Sequence, residues 1–91
     1  MAHNKHHVQT EKIVLQKLSM RSRKAVGMLA QRHLDGPNPG TITSLRTLLQ
    51  DYIDTHEDVC AARWLLARIT ADPLAEINCR RYICELLYGY R

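Results

Sequence analysis

Apolar residues recur along this chain with the 3.6-residue period of α-helices, in four segments separated by clear breaks, and no stretch alternates as a strand would. The most regular segment carries Leu45, Leu48, Leu49, Tyr52 and Ile53, with Thr41 or Thr43 placed to cap it. Before it, Asp35 to Gly40 contains two prolines and two glycines and cannot continue a helix. That break ends a first segment that Thr10 can cap and that runs from Lys12 to Leu34. Its expected buried stripe is Leu15, Leu18, Ser22, Ala25, Leu29 and His33. Ser19 to Ser22 and Gly27 are its weak points, so a break near Ser19 is the alternative.

Thr55 with Asp58 three residues later has the shape of a capping box and opens a third helix to about Ile69. Val59, Cys60, Trp64, Leu65 and Leu66 are its expected buried side. Asp72 followed by Pro73 reads as an N-cap with proline at the first helical position, and Gly89 ends this fourth helix after Tyr88. The fourth helix has two apolar stripes. Cys79, Tyr82, Ile83, Leu86 and Leu87 form the main one; Ile77, Cys84 and Tyr88 form another, separated from it by Arg80. The second stripe either packs on the first helix or meets another subunit. Because 91 residues build a limited core, a homodimer joined through Ile77, Cys84 and Tyr88 is expected. The fold class that follows is all-α: a compact bundle of four helices, or five if the first is broken, over residues 10–91. Residues 1–9 form a flexible polar start.

With 45% hydrophobic and 24% charged residues the chain has the composition of a folded domain, and no apolar run is long enough to span a bilayer. Cys60, Cys79 and Cys84 are odd in number and no signal peptide precedes them, which predicts a reducing, cytoplasmic setting. Cys79 and Cys84 lie five apart and point in different directions on a helix, so no metal site is expected. His3, His6 and His7 offer only adventitious copper or nickel binding. Asp51, Asp54, Glu57 and Asp58 lack the alternation and central glycine of a calcium loop. His33 and His56 have no nucleophile motif beside them, and there is no Gly-rich phosphate loop. The expectation is a protein that is not an enzyme and uses no cofactor.

Charge changes the picture. The net charge is +4, and between Lys12 and Leu34 stand six Lys or Arg and no Asp or Glu. On one continuous helix Lys17, Arg21, Lys24 and Arg32 share a face with Met28, spanning about 22 Å. Such a face is either a track for phosphates or a solvated surface whose counter-charges lie elsewhere. Scarce Asn, Gln and aromatic residues on it favour backbone contact with a duplex, DNA or RNA, over base reading or single-strand stacking. The expected function is a regulatory nucleic-acid-binding protein. The alternative is a helical protein-interaction adaptor or inhibitor, phage- or virus-like in its compactness, acting through the C-terminal helix and the Trp64 region. Tyr82, Tyr88 and Tyr90 with Arg80 and Arg81 suit such an interface.

Leu18-Ser19-Met20-Arg21-Ser22, then Ala25-Val26, and later Thr41-Ile42-Thr43-Ser44-Leu45, resemble the opening of the C-terminal domain of the bacterial RNA polymerase alpha subunit. Asn78-Cys79-Arg80-Arg81 with Glu85-Leu86 resembles its closing helix-hairpin-helix segment, with Arg80 where that family has the hairpin glycine. The resemblance covers about a third of the chain. It implies a compact helical module that binds DNA and contacts activators. Arg21 would then be the minor-groove arginine, and Lys24 with Arg80 or Arg81 would lie near other backbone contacts.

Overall fold

Four helices carry the described residues, 15–89, of the computed structural model: α1 (Met20–Asp35), α2 (Ile42–Thr55), α3 (Cys60–Ala71) and α4 (Ala75–Tyr88). A 3-10 turn over Leu15–Lys17 precedes them, and no strand occurs among the described residues. The architecture is an all-α bundle. The His-rich start, the Thr10 cap and Tyr90 lie outside the described residues.

The continuous helix expected from Lys12 to Leu34 is broken at Ser19. Ser19 is extended, and its hydroxyl accepts the Ser22 N–H at 3.1 Å, so it caps α1. The geometric reason lies in Leu15 and Leu18, both buried. On an unbroken helix Leu18 would stand about 120° from Ala30, a residue at the centre of the buried face. Turning the chain at Ser19 brings both leucines onto the core.

The buried face of α1 also differs from the expected stripe. Ser22, Arg23, Val26, Gly27, Ala30 and Leu34 are buried, whereas Ala25 is exposed and Leu29 and His33 are half-buried. The cause is α4, which lies antiparallel along α1: Arg23 meets Leu86 at one end, and Leu34 meets Arg80 at the other. Gly27 makes this approach possible. A Cβ there would stand 2.7 Å from Leu87 Cδ2 and 2.8 Å from its Cγ. At the same junction the Arg23 Nε–H donates to Leu86 O at 3.0 Å and its Nη2 to Glu85 O at 3.1 Å. Both carbonyls lie in the last turn of α4; Leu86 O is beyond the last helical N–H, Glu85 O takes the guanidinium as a second donor, and the cation also meets the negative end of the helix dipole. Gly89, at φ 86°, ends α4 as expected and donates its N–H to Glu85 O.

Helix α2 follows its sequence pattern. Thr41 caps it by accepting the Ser44 N–H; Leu45 and Leu49 are buried, and Leu48, Tyr52 and Ile53 pack at the core margin. The expected capping box at Thr55 does not form. The Thr55 hydroxyl instead donates to Asp51 O at 2.8 Å, and His56 stacks on Tyr52 with ring centroids 3.8 Å apart, so α2 runs through Thr55. Helix α3 therefore starts later, at Cys60, without a side-chain cap. Its buried residues are Ala61, Ala62, Trp64, Leu65 and Ile69, which leaves Cys60 exposed, not buried as expected. The Asp72-Pro73 signal acts two residues upstream of the helix proper. Asp72 Oδ1 accepts the Leu74 N–H at 2.8 Å, its carbonyl accepts the Ala75 N–H, and α4 begins at Ala75. Cys79, Tyr82, Ile83, Leu86 and Leu87 are buried, as the main stripe predicts. No helix among the described residues is long and apolar enough to cross a membrane.

Two substitutions test the α1–α4 junction by urea denaturation. Arg23→Ala strands the Leu86 carbonyl, takes one of two donors from Glu85 O and removes a buried guanidinium, and it is expected to cost about 3 kcal/mol. Exposed Arg21→Ala should stay within about 0.5 kcal/mol of the parent. Gly27→Val forces Leu87 outward and is expected to cost about 2 kcal/mol by overpacking. Unchanged midpoints for Arg23→Ala and Gly27→Val would remove the junction from the stability of the fold.

Candidate functional site

Arg21, Lys24 and Arg32 are exposed along one face of α1, with half-exposed Met28 among them. Lys17 is exposed too, but it ends the 3-10 turn and has left the helix. The expected four-residue helical stripe is thus a three-residue one, from Arg21 to Arg32, about 16 Å long at helical rise. The first turn of α1 holds no acidic residue, so the positive end of its dipole adds to the Arg21 charge. Asp35 closes the other end. Arg80 Nη1 stands 2.7 Å from Asp35 Oδ1, and this is the ion pair formed among the described residues. Asp51, Asp54, Glu57 and Asp58 are exposed at the α2–α3 junction, and none of them pairs with the α1 cations.

The second apolar stripe of α4 faces outward. Ile77 and Tyr88 are each 76% exposed and Cys84 is exposed; none is covered by α1. Arg81 falls in the same row, four residues after Ile77 and three before Cys84. Tyr88 and Leu87 also border a groove of about 450 Å³ whose opposite wall is Lys24, Met28, Gln31, Arg32 and Asp35. The basic face of α1 and the exposed apolar row of α4 are therefore neighbours. Sequence spacing on separate helices could not show this.

Arg80 and Arg81, adjacent in the chain, serve opposite flanks of α4. Arg80 is held at the C-terminal end of α1 by Asp35 and reaches Leu34 O at 3.5 Å. Arg81 lines a cleft of about 470 Å³ between α3 and α4, with Arg68, Asp72, Asn78 and Tyr82. Asn78 to Arg81 thus belong to one continuous helix. In the cleft, the Tyr82 hydroxyl and Asn78 Nδ2 both donate to Asp72 Oδ2. These bonds, the Tyr82 one foremost, hold the Asp72 carboxyl below its ordinary value, and the bond to Asp72 pushes the Tyr82 phenol above its own. The Arg68 guanidinium lies 4.6 Å from the Tyr82 ring centroid and 5.6 Å from that of Trp64. Arg81 stands 5.5 Å from the same Tyr82 ring. Arg68 was not among the expected site residues; the signal available for it was its position four residues after Trp64.

All three cysteines are free thiols, and burial pushes the Cys79 thiol up. No group of three metal-ligating side chains occurs among the described residues. No family model, curated relative or solved structure matches the chain.

The Asp72–Tyr82 bond sets a pH signature. Asp72, with its lowered folded value, contributes stability present above the ordinary carboxylate range and lost as pH falls through that lowered value. Tyr82, with its raised value, contributes stability present below about pH 10 and lost as pH rises through the folded value. Urea midpoints for Tyr82→Phe measured from pH 2 to 11 should lose the alkaline dependence and part of the acid one relative to the parent, since Asn78 and the Leu74 N–H still hold Asp72; parallel profiles for the two proteins would reject this.

Proposed function

We propose that this domain binds the sugar–phosphate backbone of a duplex nucleic acid, DNA or RNA, through Arg21, Lys24 and Arg32. The observation that carries this reading is three exposed cations on one face of a rigid helix, with no counter-charge between them and the opposite face anchored in the core. Guanidinium and ammonium groups so placed meet phosphates without reading bases, and binding by counterion release is sensitive to salt. Lys17 can add a contact from the turn before α1, and Arg81 from the row on α4. Arg80 contributes least, because Asp35 already engages it. The role is regulatory, without a catalytic step, and the three free thiols accord with a reducing cytoplasm.

The exposed Ile77, Cys84 and Tyr88 support a second role, as the interface of a homodimer or the docking face for another protein. A dimer seen by sedimentation at micromolar concentration, and lost in Ile77→Asp, would bear this out. A 10.5 kDa monomer throughout would count against the homodimer.

For the nucleic-acid reading, duplex binding is measured across a salt series. Arg21→Ala is expected to weaken binding to all duplex sequences alike and to lower the slope of log affinity against log salt by about 0.9 for DNA. An Arg21→Ala/Lys24→Ala/Arg32→Ala variant that remains folded and binds as the parent does would refute the assignment.

A further inference from the structure

We propose that the cleft between α3 and α4 is a separate phosphate-oxyanion site, in which Arg68 and Arg81 share one ligand. Two cations within 6 Å of one tyrosine ring repel each other, and neither forms an ion pair with a carboxylate among the described residues. Arg68 is held on the surfaces of Trp64 and Tyr82, so its guanidinium is oriented before any ligand arrives. Its Nε is buried and has no hydrogen-bond partner among the described residues. No protein acceptor therefore competes at that nitrogen, and an oxyanion is the acceptor whose geometry matches the arginine fork that lines the cleft.

The cleft's carboxylate does not fill this need. Asp72 accepts from Tyr82, Asn78 and the Leu74 N–H, which ties it to the start of α4 and anchors the Tyr82 hydroxyl. Counting Arg68 and Arg81 against Asp72 leaves one net positive charge facing the cleft. A phosphate approaching from the open side meets both guanidiniums and stays off the saturated carboxylate. The chemistry is common to a phosphomonoester, such as a strand end or free phosphate, and to a backbone phosphodiester. The site does not depend on the α1 face. If both act on one duplex, contacts extend across α4 from α1 to α3.

Arginine Nε–Hε resonances of the labelled protein, titrated with inorganic phosphate and separately with a short blunt duplex lacking terminal phosphates, test the proposal. Chloride at matched ionic strength is the control. Saturable shifts of Arg68 and Arg81 with phosphate, beyond those with chloride, are expected, and Arg81→Gln should weaken the response of Arg68 about tenfold or more. Saturation by the duplex as well assigns the backbone as a source; saturation by phosphate alone assigns a monoester. No saturable shift of Arg68 with either probe, or one that survives unchanged in Arg81→Gln, overturns the site. Arg81 is exposed, so its replacement leaves the fold intact. Duplex binding that is lost in the triple α1 variant, in a protein whose Arg68 and Arg81 show no saturable phosphate shift, would leave the α1 reading standing without the cleft. Phosphate binding at the cleft by a protein that binds no duplex would do the reverse.

Discussion

The bundle depends on the antiparallel contact between its first and last helices, and that contact depends on Arg23. A guanidinium buried in a small domain is costly unless its donors are satisfied. Here they are spent on the Leu86 carbonyl, which the end of α4 would otherwise leave without a partner, and on the Glu85 carbonyl, which also takes the Gly89 N–H. Gly27 sits one helical turn further along α1 and removes the Cβ that would hold Leu87 away. At the far end the arrangement is mirrored more weakly, with Arg80 of α4 reaching the last turn of α1 and pairing with Asp35. Each helix therefore supplies an arginine to the C-terminal end of the other, where the dipole favours a cation.

This contact also separates the chain's cations by role. Arg23 belongs to the interior and Arg80 to the helix seam, although both look like surface charge in sequence. Arg21, Lys24 and Arg32 remain outward because α1 is locked in the one rotation that buries Arg23, Val26, Gly27 and Ala30. The same contact turns Ile77, Cys84 and Tyr88 away from the core, since α4 spends Cys79, Ile83, Leu86 and Leu87 on the bundle. A basic face and an exposed apolar row become neighbours across one groove, and a second pair of arginines collects on the far flank of α4 at Tyr82. The binding capacity of so small a domain is thus concentrated around its last helix.

Local periodicity determined the helical class, the main stripe of α4, the α2 pattern from Leu45 to Ile53, the break at Asp35 to Gly40 and the glycine stop at Gly89. Each of these rests on residues close in sequence. Helix starts were less legible, because Thr55 and Asp72 each have competing uses. Thr55 back-bonds within α2, and Asp72 joins Asn78 and Tyr82, partners six and ten residues away. Only the tertiary structure decided where α1 begins, which of its faces is buried, and that Arg80 and Arg81 part company. A one-position rotation of a helix costs little locally, so the choice passes to whatever packs against it. In this protein that is α4, through a glycine and an arginine whose partners lie about sixty residues further along the chain.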